Sequence, residues 1–210
     1  MLRYWGSDDV IKGETEPEVL SAALLTVETI DNHVYFYSEV NSDRCLALMR
    51  QLRELDQRLQ WERVSRGLGL EFQVPIWLHI NSEGGDLFAG LAVADQIQHI
   101  QTPIYSIIEG LGASAATIIS VACPKRYIQP SAFMLVHQFR TWFVGKHEEF
   151  KDEMELQEML IARLIEFYSG YTAVSQDDVR EKLKRDFWMN AEKAVELGFA
   201  DEILKVAEKA

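Results

Sequence analysis

The sequence predicts a layered α/β domain with parallel strands joined by right-handed crossovers. Three observations predict it. Strand-like and helix-like segments alternate from Val34 onwards. The segment Pro103-Ile104-Tyr105-Ser106-Ile107-Ile108 is almost continuously apolar, as a parallel strand covered on both faces is. The turns that join strands to helices are built from glycine, alanine and serine.

Each element has a local cause. Residues 1–18 mix Gly, Asp, Glu, Lys and Pro17 and read as a mobile arm, leaving residues 19–210 as one domain. Val34-Tyr35-Phe36-Tyr37 is rich in β-formers. Ser42 or Asp43 is placed to cap a helix through Leu46, Met49, Leu52, Leu55 and Leu59, and Gly67-Leu68-Gly69 closes that region. The strand Ile76–Ile80 leads through Asn81-Ser82-Glu83-Gly84-Gly85-Asp86 into a helix through Ala89, Leu91, Ala92, Ala94 and Ile97. After the apolar strand, Gly110-Leu111-Gly112-Ala113-Ser114 is a turn into a short apolar helix ending near Ala122. Strands follow at Arg126–Ile128 and Ala132–Val136. One long helix runs from His147 to about Tyr168, with Glu crowding its first turns as the helix dipole favours. Ser175 caps a short helix to Lys184, Phe187-Trp188-Met189 is a strand, and Asn190 caps a last helix that Gly198 closes.

Bulk properties bound the function. A 210-residue chain that is 48% hydrophobic supports a sizeable core. A formal charge of −12 without a basic stripe argues against nucleic acid, which needs clustered Lys and Arg. Cys45 and Cys123 sit in apolar stretches, and no Cys/His spacing suits a metal. The first residues lack the apolar core of a secretory signal and no run of about 18 apolar residues exists. The expectation is a cytoplasmic protein with no membrane partner, no metal and no cofactor.

Two turns carry candidate chemistry. Ser114 stands where a strand stops and a helix begins, among Gly112, Ala113, Ala115 and Ala116. Small neighbours admit a substrate carbonyl, and amides at a helix start can stabilise an oxyanion. A serine there is equally a plain helix cap. Gly84-Gly85 lets backbone approach a ligand, or is simply a turn. A nucleophile needs a base, and there are five histidines. His33, His99 and His147 lie in polar contexts, His79 lies inside a strand, and His137 follows Met134-Leu135-Val136 at a strand end. An imidazole there could accept a serine proton if a carboxylate fixed its tautomer. Acidic candidates are many, and the residues by themselves do not choose one.

The motifs resemble those of the Clp protease proteolytic-subunit family, ClpP. Ile80–Gly85 is similar to the family's I-N-S-P-G-G turn, and Gly110–Ala115 to its G-x-A-A-S-M segment. Met134–Gln138 matches its M-I-H-Q strand. Arg185–Glu192, followed by Ala194–Gly198, resembles its R-D-x-F-x-[ST]-A-x-E block. The likeness runs over about residues 76–205 and more loosely from 34. It implies a crotonase-like spiral of βα units with a protruding long-helix handle. It implies an ATP-independent serine endopeptidase subunit with Ser114 as nucleophile, His137 as base and Asp186 as the orienting carboxylate. The amides of Gly85 and Ala115 would form the oxyanion hole, and Leu87, Gln138, Phe139, Arg140 and Trp142 would line the substrate. Implied partners are a peptide or unfolded-protein substrate, a second heptameric ring of the same chain and an AAA+ unfoldase of the Clp type.

The chain departs from the pattern in places. Glu83 stands at the turn's proline, and Phe139-Arg140-Thr141-Trp142-Phe143-Val144 stands where a proline and a glycine-rich strand are usual. The stretch from Leu55 to Pro75 is longer, and the arm does not match the family's axial loop. A non-catalytic ring subunit and a phage capsid-maturation protease on the same scaffold are the alternative readings.

Overall fold

The structure, a computed structural model, describes residues 27–205. The arm expected over residues 1–18 lies outside them. Fifteen elements follow in order: β1 (Val27–Ile30), β2 (His33–Phe36), α1 (Ser42–Ser65), a 3₁₀ turn (Leu70–Phe72), β3 (Ile76–Ser82), α2 (Leu87–His99), β4 (Ile104–Ala113), α3 (Ala115–Val121), β5 (Lys125–Ile128), β6 (Phe133–Val136), α4 (His147–Tyr171), α5 (Gln176–Leu183), β7 (Phe187–Asn190), α6 (Ala191–Glu196) and β8 (Glu202–Ile203).

Eight strands form one sheet, ordered β1-β2-β3-β4-β5-β8, with β6 and β7 branching from β4. The β2–β3, β3–β4, β4–β5 and β5–β8 pairs are parallel, which the intervening helices require. β4 makes the branch possible. Its first half, Tyr105–Ile108, pairs with β5, and its last residues, Leu111–Ala113, pair with β6. The register against β3 shifts between Ile80 and Ser82, and the pairing resumes with Ser82 opposite Gly112. The glycines read from sequence as a turn therefore continue the strand, and Gly110 adopts φ 73 within it. The bend and the extended run are one device: β4 changes partner here.

Strand alternation sorts the two faces. Val34, Phe36, Leu78 and Ile80 turn into the core, where each is fully buried. His33, Tyr35, Trp77 and His79 face the other way. All seven residues of α3 are buried, so its apolar character runs round the whole helix. The buried stripe of α1 is Cys45, Leu48, Leu52 and Leu55. Leu52 and Leu55 are as expected, and Met49 and Leu59 pack against the core from its edge. Cys45 and Leu48 take the inner place in the first turns while Leu46 stays exposed. Asn41 caps α1, accepting the Arg44 amide at 3.0 Å, in place of Ser42 or Asp43. Ser175 and Asn190 cap α5 and α6 as expected. Cys45 and Cys123 are free and buried, and burial pushes their thiols up to about 11 and about 12, so neither is a reactive thiolate. Among the described residues, no helix is long and apolar enough to cross a membrane.

Candidate active site

Ser114 lies at the junction of β4 and α3 with φ 53 and ψ −125. A non-glycine residue in such backbone costs on the order of 1–3 kcal/mol, which the surrounding hydrogen bonds must offset. Its amide donates to the Leu135 carbonyl at 2.8 Å, and its carbonyl accepts from the Thr117 amide at 2.9 Å. Its side chain makes no capping hydrogen bond to α3, so the helix leaves the hydroxyl free. The plain-cap alternative is set aside on that point.

The Gly84-Gly85 turn packs directly against this junction. A Cβ at Gly84, whose φ is 92, would stand 2.6 Å from Ser114 Cβ and 3.0 Å from the Ala115 amide. At Gly85 a Cβ would strike the Val40 carbonyl. The turn is tied down by Val40, whose amide donates to Gly84 O and whose carbonyl accepts from the Asp86 amide, each at 2.7 Å. Gly85's own N–H is not part of that exchange. Ala115 is the first residue of α3, where an amide has no intrahelical acceptor.

Strand register brings the other two residues alongside. Ser114 follows the Ala113↔Leu135 pair of β4 and β6. His137 and Asp186 flank the Val136↔Phe187 pair of the antiparallel β6 and β7 on its outer side. The three side chains thus stand at adjoining ends of three neighbouring strands. They share one cleft of about 1040 Å³, which Gly85 and Ala115 also line.

Within that cleft the polar groups are not yet linked as a relay. His137 Nδ1 donates to the carbonyl of Gln138 at 2.6 Å. Since a carbonyl only accepts, this bond puts the neutral imidazole's proton on Nδ1 and leaves Nε2 with a lone pair. Asp186 is exposed and its charged neighbour is Arg140, Nη2 to Oδ2 at 3.9 Å. Among the described residues, neither Ser114 nor Asp186 hydrogen-bonds His137.

Of the expected substrate-contacting residues, Leu87, Phe139, Arg140 and Trp142 line the cleft, with Trp142 82% exposed. Gln138 does not line it; its backbone amide donates to Leu183 and its carbonyl holds His137. The opposite wall comes from α4 through Leu156, Leu160, Leu164 and Tyr168. That stripe is visible in the sequence as a helical repeat. Which surface it faces is not. Glu83, Asp86 and Glu153 add negative charge to the rim. No cluster of His, Cys, Asp and Glu among the described residues could hold a metal ion.

The family described as Clp protease matches residues 28–207. The chain belongs to the Clp protease family. ATP-dependent Clp protease proteolytic subunit 2 of Treponema denticola is 31% identical over 169 residues, covering 80% of this chain and 78% of that protein. Proteolytic subunit 1 of Protochlamydia amoebophila is 34% identical over 139 residues, covering 64% and 68%. A ClpP1 variant from Listeria monocytogenes superposes with a TM-score of 0.71 over 90% of this chain and 98% of that one. At 23% identity that likeness is one of fold. The mixed α/β architecture is thus the Clp-protease fold, carried by a moderately divergent sequence.

Proposed function

We propose that this Clp-family chain is a serine endopeptidase subunit acting through Ser114, His137 and Asp186. The observation that carries the reading is the strained, uncapped Ser114 at the end of β4, in the same cleft as His137 and Asp186. Ser114 Oγ attacks a peptide carbonyl carbon as its proton passes to His137 Nε2. The carbonyl oxygen, now anionic, accepts from the amides of Gly85 and Ala115. His137 returns the proton to the departing amine, leaving an acyl-enzyme. Water then repeats the sequence, with His137 taking its proton and giving it back to Ser114. Asp186 orients the imidazole and stabilises it when charged.

The working form in this reading is two stacked heptameric rings with α4 as the handle, a cytoplasmic location, and an AAA+ unfoldase that feeds folded substrates. The names of the relatives, which include "ATP-dependent", support the unfoldase partnership. A latent or non-catalytic ring subunit is the second reading, favoured by the His137–Gln138 and Arg140–Asp186 contacts that occupy two triad members.

Fluorophosphonate labelling of the purified protein, with the modified residue located by mass spectrometry, separates the two. Stoichiometric modification of Ser114 that His137→Ala abolishes is the expected result. A folded, assembled protein that takes no label overturns the peptidase reading in favour of the second.

A further inference from the structure

We infer that Thr117 and Tyr168 are positioning residues for the nucleophile, forming a hydrogen-bond chain from the long helix α4 to the backbone of Ser114. The inference rests on Ser114 being the nucleophile and concerns what holds it in place.

The chain has two links. Thr117 Oγ1 lies 2.7 Å from the Ser114 carbonyl oxygen and 2.6 Å from the Tyr168 hydroxyl. A carbonyl only accepts, so the single Thr117 hydroxyl proton goes to Ser114, and Tyr168 must donate to Thr117. The direction is therefore fixed from α4 through α3 to the β4–α3 junction. Thr117 is fully buried and Tyr168 is 3% exposed, so water cannot replace either link. A threonine bonding back to a carbonyl one turn earlier is commonplace in helices. Two features set this one apart. The carbonyl belongs to the residue with φ 53, and the threonine is itself anchored by a phenol 51 residues away.

Geometry says what the chain controls. At Ser114, φ and ψ set where Oγ points, and the carbonyl is the one backbone polar group of that residue facing α3. Holding it with two donors, the Thr117 amide and hydroxyl, resists rotation of the peptide unit that would relax φ. Tyr168 is itself wedged by Phe199 and Phe167, ring centroids 5.6 and 5.8 Å away, so its hydroxyl is a stationary donor. The same helix walls the cleft. A displacement of α4 along its axis consequently moves the cleft wall and loosens the nucleophile together.

The test is the rate of Ser114 acylation by a fluorophosphonate, resolved into maximal rate and half-saturating concentration, in the full-length chain. Thr117→Val and Tyr168→Phe keep the packing volume and remove one hydroxyl each. Each is expected to lower the maximal rate about ten-fold while half-saturation stays unchanged. Thr117→Ser keeps the hydroxyl and is expected to retain the wild-type rate. The Thr117→Val/Tyr168→Phe pair should be no slower than Thr117→Val, because the second link has nothing to act on once the first is gone. Rates within two-fold of wild type in both single variants overturn the positioning role and leave the nucleophile reading standing. So does an equal loss in Thr117→Ser, which would trace the effect to packing. A folded, assembled wild-type protein that takes no label overturns both readings at once.

Discussion

Ser114 adopts backbone that glycine would occupy more comfortably, and the residues around it are small because there is no room for anything else. Gly84 shows this most directly, since any side chain there meets Ser114 Cβ and the Ala115 amide. Gly84→Ala is expected to cut labelling of Ser114 by on the order of 100-fold, the scale associated with losing an oxyanion donor. Circular dichroism should show the fold retained. Arg140 and Asp186 pose a weaker constraint, because the pair is 3.9 Å apart and largely solvated. Arg140→Ala frees the carboxylate for His137, and about a two- to five-fold faster acylation is expected. Added salt should speed the wild type in the same way and leave the variant unaffected.

A second polar group lies on the sheet face away from the core. His79 Nδ1 donates to Glu109 at 2.9 Å, and its Nε2 accepts from His33 Nδ1 at 2.8 Å. Gln129 and the Tyr37 hydroxyl also donate to Glu109, and Tyr35 stacks on His79 at 4.4 Å. His33 is thus half-buried although its sequence neighbours are polar. Burial first, and then the nearby His79, lower its pKa, with Asp31 opposing. The native state therefore binds a proton at His33 less readily than the unfolded chain does. Its contribution to stability is complete above the ordinary histidine value of about 6.5 and is lost as pH falls below it. The urea midpoint should drop between about pH 7.5 and 5.5 by more in the wild type than in His33→Gln.

At the scale of elements, α3 matters most, since it presents the Ser114 backbone and has no exposed face. Ile119 is fully buried between the sheet and its neighbours. Ile119→Ala should cost about 2–5 kcal/mol in denaturant unfolding, the usual range for emptying such a site. Close approach of α2 to α3 adds to this rigidity. A Cβ at Gly90 would come within 3.1 Å of the Ala115 carbonyl and 3.2 Å of its Cβ, so the helix behind the glycine turn abuts the helix behind the nucleophile. β4 completes the set by pairing β5 with its first half and β6 with its last residues.

At the scale of the whole molecule, the exposed apolar residues concentrate away from the sheet. Phe150, Met154 and Met159 on the first half of α4 are 50%, 47% and 58% exposed, and Val144 just before it is 75% exposed. Phe150 and Met154 stand one helical turn apart on the same face, and exposed apolar side chains paired in this way suit a partner surface. In the ring-stacking reading that partner is another copy of the chain. Phe150→Glu combined with Met154→Glu should then give a smaller species in light scattering, with helix content unchanged. An unchanged mass would remove α4 from the assembly contact.

The amino-acid sequence by itself determined the element order, most caps and the four motifs, because these depend on neighbours within a turn or two of helix or strand. The small residues around Ser114, Asn190 as a cap and the apolar run of β4 are of this local kind. Family membership was legible for the same reason, as the motifs are short and ordered. The motif resemblance implied Asp186 as the carboxylate, but its place at the strand end next to His137 follows from β6–β7 register across 50 residues of intervening chain, which no local pattern sets. The tertiary structure alone paired Arg140 with Asp186, set the Gln138 carbonyl on His137, and joined Thr117 to Tyr168. Those contacts are set by packing between distant elements, where residue type limits what is possible and geometry selects among the possibilities.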